Sequence, residues 1–141
     1  MPSWKREVCS VTIEEKGVYY HDKGCNCCQS VLCTLGEYTG LDERTAAALG
    51  VGFGGGMLSG NVCGAVTGGM MAIGKACTDG ADPAAEKPKG TKLCKALQKR
   101  FQAEFGTMLC AEILKANGHA ICDRCIAFAA HAAEEIIKTN N

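Results

Sequence analysis

Residues 45–74, TAAALGVGFGGGMLSGNVCGAVTGGMMAIG, decide how this chain is read. The stretch carries no charge across thirty positions and holds ten glycines. Gly52, Gly56, Gly60, Gly64 and Gly68 recur at strict four-residue spacing. Residues four apart share one face of an α-helix, so the spacing predicts a glycine-rich central helix against which a second backbone packs closely. Each helical glycine costs about 1 kcal/mol relative to alanine, so packing or function must offset the stripe. A membrane span is the competing reading. The glycines, with Ser59, Asn61 and Thr67, leave too little apolar area to face lipid, so a buried helix and no membrane partner are expected.

On either side of this stretch the pattern is helical. Upstream, Thr12-Ile13-Glu14-Glu15 has capping-box spacing ahead of a helix toward Tyr20. A second helix carries Cys27, Val31, Leu32 and Leu35 and stops near Gly36 or Gly40. Asp42 reads as the next N-cap. Downstream, residues 79–90, with Pro83, Pro88 and scattered charge, read as a linker. Thr91 then reads as the cap of a helix with Leu93, Leu97, Phe101 and Phe105 four apart. Thr107 reads as the cap of a short helix ended by Gly118. The last helix is expected over about 120–138, with Cys122, Cys125, Ile126, Ala129, Ala133 and Ile136 on its face. No strand alternation or internal repeat is present. The expected fold is an all-α, compact, single-domain bundle over residues 1–141.

Composition supports a packed domain. The 141 residues are 47% hydrophobic and 21% charged, enough apolar matter for a core and against disorder. Fifteen basic and fifteen acidic residues give zero net charge, which offers no electrostatic footprint for nucleic acid. Eleven cysteines and eighteen glycines are the anomalies. The N-terminal residues lack the basic, apolar and small-residue order of a secretory signal, so a cytoplasmic setting with reduced thiols is expected. An odd cysteine count also fits a disulfide framework poorly. The eleven therefore point to metal ligation or redox-active thiols, with Cys9, Cys33, Cys77 and Cys94 read as core filler.

Four stretches carry a family resemblance: NCCQSVL (26–32), FGGGM (53–57), CGAVTGG (63–69) and FGTMLCAEIL (105–114), followed by Cys122. They resemble the family of redox proteins named for the pattern C…GCAxxG…C…C, over about residues 17–126. The resemblance implies that the characteristic cysteines are Cys27, Cys63, Cys110 and Cys122. Val62 stands where the pattern has the glycine before its central cysteine, so Cys63-Gly64-Ala65 is the significant core. Cys25, Cys28 and Cys125 are additions, and each is a possible further ligand. The resemblance implies redox activity as a class and names no reaction.

The chemistry of such a set is narrower than the resemblance. Structural zinc usually draws on paired CxxC knuckles, and only Cys122-Asp-Arg-Cys125 has that spacing. Ile126 follows where c-type haem attachment needs a histidine. Four thiolates from four segments of a reduced, apolar interior suit a [2Fe–2S] or [4Fe–4S] cluster. Gly64, Ala65, Gly68 and Gly69 would clear space for its sulfides. No strand precedes Gly54-Gly55-Gly56 and no Gly-Lys-Ser/Thr follows, so nucleotide binding is not expected. His21, His119 and His131 read as surface residues. The expectation is an iron–sulfur electron-transfer protein working with a redox partner, the glycine stripe meeting a second copy in a homodimer. The rivals are a metal-free dithiol protein exchanging at Cys122 and Cys125, and a soft-metal storage bundle.

Overall fold

The computed structural model describes residues 11–140. Helix α1 (Ile13–Asp22) opens with a capping box. The Thr12 hydroxyl accepts the Glu15 N–H at 3.1 Å, and the Glu15 carboxylate accepts the Thr12 N–H at 3.2 Å. Two N–H groups without helical partners are thereby satisfied. Helix α2 (Cys27–Thr34) starts the same way from Asn26 and Gln29. The short α3 (Gly36–Thr39) ends at Gly40 in the left-handed conformation, and α4 (Glu43–Gly50) begins at Asp42, whose carboxylate accepts the Thr45 N–H at 2.7 Å. A 3₁₀ turn (Val51–Phe53) and a π-type turn (Gly56–Gly60) follow. Then come α5 (Gly64–Cys77), α6 (Pro83–Phe105), α7 (Cys110–Asn117), a 3₁₀ turn (His119–Ile121) and α8 (Cys122–Asn140).

The fold is all-α, as the periodicity predicts. Among the described residues the only β feature is an isolated antiparallel bridge between Val62 and Leu109. Helix α2 packs along α5, and both α1 and α5 pack on α8. Val31, Leu32, Val66, Ile73, Leu97, Phe101 and Ile126 are fully buried at the centre. Helix α8 turns a row of alanines inward, with Ala129, Ala130, Ala132 and Ala133 at zero exposure. Small side chains let neighbouring helices approach, and Gly69 of α5 uses this space: a Cβ there would lie 2.6 Å from Leu97 Cδ2. Among the described residues no helix is long and apolar enough to cross a membrane.

The structure narrows the glycine stripe. Residues 45–74 are not one helix. The chain leaves helical geometry after Phe53 and re-enters it at Gly64. Gly55, Gly56 and Gly60 adopt positive φ, and Met57 and Leu58 join them at φ 58° and 61°. Left-handed geometry is open to glycine, whereas a side-chain-bearing residue pays a steric cost there, so this turn breaks the stripe at its middle. The glycine-rich helix is α5 alone, with Gly64 and Gly68 on one face. Their close neighbours are chiefly backbone atoms of Phe53 and Cys28.

Three boundaries also differ. The linker shrinks, because Asp82 caps α6 and Pro83 occupies its first turn. Proline is tolerated there, where the missing N–H has no helical partner. Pro88 and Thr91 both lie inside α6, so Thr91 is not a cap. Thr107 lies before α7; its hydroxyl accepts the Leu109 N–H at 3.1 Å, and the helix begins at Cys110.

Candidate functional site

Three of the four cysteines carried over from the resemblance occupy the first turn of a helix, and the fourth sits at an N-cap. Cys27 follows the Asn26 cap of α2. That asparagine also donates to the Gly50 carbonyl at 3.1 Å, fixing where the helix starts. Cys63 is the N-cap of α5, Cys110 opens α7 and Cys122 opens α8. The bridge between Val62 and Leu109 brings two of them together. The Cys63 N–H donates to the Met108 carbonyl at 2.7 Å, and the Cys110 N–H donates to the Asn61 carbonyl at 2.7 Å.

The remaining segments converge on Cys63. Its thiol interacts directly with those of Cys27 and Cys125, and Cys27 also meets Cys122. Cys110 lies farther out, within electrostatic reach of Cys63 and Cys122. Cys63 is 4% exposed and Cys125 1% exposed, whereas Cys27, Cys110 and Cys122 are partly exposed, so the group is buried on its inner side only. The Cys125 and Cys27 thiols, with the Ala65 and Val66 amides facing the sulfur, hold the Cys63 thiol far below its ordinary range. Cys27 and Cys125 are pushed up, first by Cys63 and then by burial. An anion at Cys63 thus disfavours a second one at Cys27 or Cys125. Burial raises the Cys122 and Cys110 thiols.

Backbone approaches this group unusually closely. A Cβ on Gly64 would lie 2.7 Å from the Phe53 carbonyl oxygen and 3.0 Å from the Cys28 nitrogen. A Cβ on Gly68 would lie 2.7 Å from the Cys28 carbonyl oxygen. Only glycine lets α5 lie this near the start of α2. Helix N-termini carry a partial positive charge of about half a unit each, and four of them meet around these sulfurs. Among the described residues, no three His, Cys, Asp or Glu side chains already surround a point suited to a single metal ion.

The structure therefore brings Cys27, Cys63, Cys110 and Cys122 into one neighbourhood and adds Cys125, one helical turn beyond Cys122. Cys28 is fully buried beside them, meeting the Thr67 hydroxyl and lying within electrostatic reach of Cys63. Cys25 is not among them: its neighbours are Cys33 and Glu43. Cys33, read from sequence as core filler, is thus a neighbour of Cys25, and no motif in the sequence signals it. Cys77 ends α5 and Cys94 lies midway along α6, both apart from this group, and Cys9 lies outside the described residues. His119 is exposed. His21 pairs with Asp123 at 2.7 Å and His131 with Glu14 at 2.9 Å, both joining α1 to α8.

No curated protein and no solved structure matches the chain. Residues 25–136 match the family model described as "Putative redox-active protein (C_GCAxxG_C_C)", a span that starts at Cys25, just before α2, and ends in α8. With most of its length inside that match, the chain belongs to the C_GCAxxG_C_C family of redox-active proteins.

Proposed function

We propose that this family member carries an iron–sulfur cluster on Cys27, Cys63, Cys110 and Cys122 and passes electrons to a protein partner in a reducing, cytoplasmic setting. The observation that carries the reading is the meeting of four helix N-termini, each bearing a cysteine, around the buried Cys63. Four positive helix ends repel one another unless an anion lies between them, and a thiolate-ligated cluster is such an anion. The donor set is soft and comes from four segments. The space at Gly64 and Gly68, expected to be cleared for sulfides, is taken instead by the Phe53 and Cys28 backbone. When bound, the cluster supplies one-electron chemistry. The chain's own part is to hold the thiolates, exclude water and direct amides such as those of Ala65 and Val66 at the sulfurs, which tunes the potential.

A second reading has its own support. The direct Cys63–Cys27 and Cys63–Cys125 contacts suit a dithiol that closes to a disulfide without metal. Anaerobic purification followed by a visible spectrum and iron and sulfide analysis separates the two. A brown protein with matched iron and sulfide supports the cluster. A colourless protein whose thiols titrate reversibly overturns it in favour of the dithiol.

A further inference from the structure

Two glycines inside helices are not explained by close packing. Gly64, Gly68 and Gly69 of α5 each face an atom that a Cβ would meet at 2.7 Å or less. A Cβ on Gly74 of α5 would meet nothing within 4 Å, and one on Gly90 of α6 would meet only Thr78 Cγ2, at an ordinary 3.6 Å. Neither glycine has positive φ. Each costs about 1 kcal/mol in a helix relative to alanine. The two missing side chains leave a trough of about 520 Å³ between the end of α5 and the first half of α6. Small-molecule sites run from about 300 to 1,000 Å³, so the space is of ligand size.

The floor of the trough is mostly apolar, lined by Met70, Gly74, Pro83 and Gly90. Polar atoms at its edge are engaged with one another. The Cys94 thiol donates to the Met70 carbonyl at 3.6 Å, and the Gln98 amide donates to the Met70 sulfur at 3.4 Å. Lys87 and Lys95 stand on the rim, eight residues or about 12 Å of helix apart, so the trough is elongated. Its two ends differ in charge. Beside Lys87, the turn into α6 holds Asp79, Asp82 and Glu86, and the Glu86 carboxylate accepts the Asp79 and Gly80 N–H groups at 2.9 Å each. From Lys87 to Ala103 the helix holds six basic residues and no acidic one. Arg100 is paired with Glu135, whereas Lys92, Lys95 and Lys99 are exposed and share one helix face. Helix α5, the opposite wall, carries no acid.

We propose that this trough binds a free amphiphile with one anionic head and an unbranched apolar chain, of the medium-chain carboxylate class. The chain lies along Gly74 and Gly90, where it displaces water from apolar surface. The head lies at Lys95, away from the acids of the turn. A cationic amphiphile meets repulsion at Lys95, and a small hydrophilic anion leaves the apolar floor uncovered. Gly74 lies ten residues, about 15 Å of helix, beyond Gly64, so the trough is separate from the sulfur group. The site rests on neither the cluster nor the dithiol reading.

The test titrates decanoate, below its micelle concentration, into anaerobically purified full-length protein labelled with nitrogen-15. Amide shifts and calorimetry follow the binding. Saturable one-to-one binding is expected, with shifts centred on Gly74, Gly90 and Lys95. Decanoate is expected to bind several-fold tighter than decyltrimethylammonium, which carries a similar chain on a cation, and Lys95→Glu is expected to lose that preference. Gly74→Leu, whose side chain enters the open space, is expected to fold and to lose binding. No saturable shift along the trough, equal affinity for the two amphiphiles, or unchanged binding in folded Gly74→Leu overturns the proposal. A preference retained in Lys95→Glu overturns the placement of the head. Association with phosphatidylglycerol vesicles without binding of monomeric decanoate also overturns the proposal, and assigns the basic face to a membrane surface instead. Iron and sulfide in Gly74→Leu are expected to equal the parent's, so failure here is distinct from failure of the cluster reading.

Discussion

Gly68 of α5 sits against the carbonyl of Cys28 in α2, so closely that a Cβ at position 68 would lie 2.7 Å from that oxygen and 3.2 Å from the Cys28 Cα. Backbone cannot yield as a flexible side-chain end can. Gly68→Ala is therefore expected to destabilise the fold by about 1–3 kcal/mol, and Gly68→Leu by more, because α2 and α5 must separate. Gly64→Ala meets the Phe53 carbonyl and is expected to behave alike. Gly74→Ala, with nothing within 4 Å, is the control and should match or exceed the parent's stability. Thermal melts check this; an unchanged melting temperature in Gly68→Leu would contradict the packing.

Cysteines divide by position. Cys63→Ser is expected to abolish iron and sulfide binding, since Cys63 touches Cys27 and Cys125 and is the hub of the sulfur group. Cys94→Ser is expected to leave metal content at the parent's level, because that thiol contacts the Met70 carbonyl of α5 instead. Metal analysis of both anaerobically purified variants decides. Parental iron in Cys63→Ser would rule out this ligand set.

Asn26 links local capping to the site. Its side chain accepts the Gln29 N–H at 2.8 Å and donates to the Gly50 carbonyl. Asn26→Ala removes both and is expected to cost about 0.5–2 kcal/mol. It should also lower cluster occupancy, because Cys27 is the next residue. Asn26→Asp keeps the cap but not the donor, so denaturant melts and iron content of the two variants separate capping from tethering.

Asp42 predicts a pH dependence. The Thr45 backbone N–H, chiefly, holds its carboxyl below the usual value of 3.8. A carboxylate with a lowered folded pKa contributes stability that is complete above the unfolded value and is lost as pH falls through the folded one. Asp42→Asn keeps a capping oxygen without the charge. The variant's loss of stability on acidification below about pH 4 is thus expected to be shallower than the parent's. Parallel pH–stability curves for the two proteins would show that this carboxylate contributes nothing.

What the sequence determined by itself was local. Thr12 with Glu15 and the Asp42 cap lie within one helical turn of the groups they satisfy, and Leu93, Leu97, Phe101 and Phe105 mark a single helix face through spacing alone. The cysteines Cys27, Cys63, Cys110 and Cys122 were legible as a set through motif. Tertiary structure decided where the glycine run breaks, because glycine accepts both helical and left-handed geometry, and Gly55, Gly56 and Gly60 take the left-handed one next to the close packing of Gly54 on Asn26. It likewise decided how the thiols are shared. Cys25 and Cys125 are both close in sequence to a predicted ligand, two and three residues away. One faces Cys33 and the other Cys63, because the helix packing around each sulfur, not its neighbours along the chain, sets what it touches.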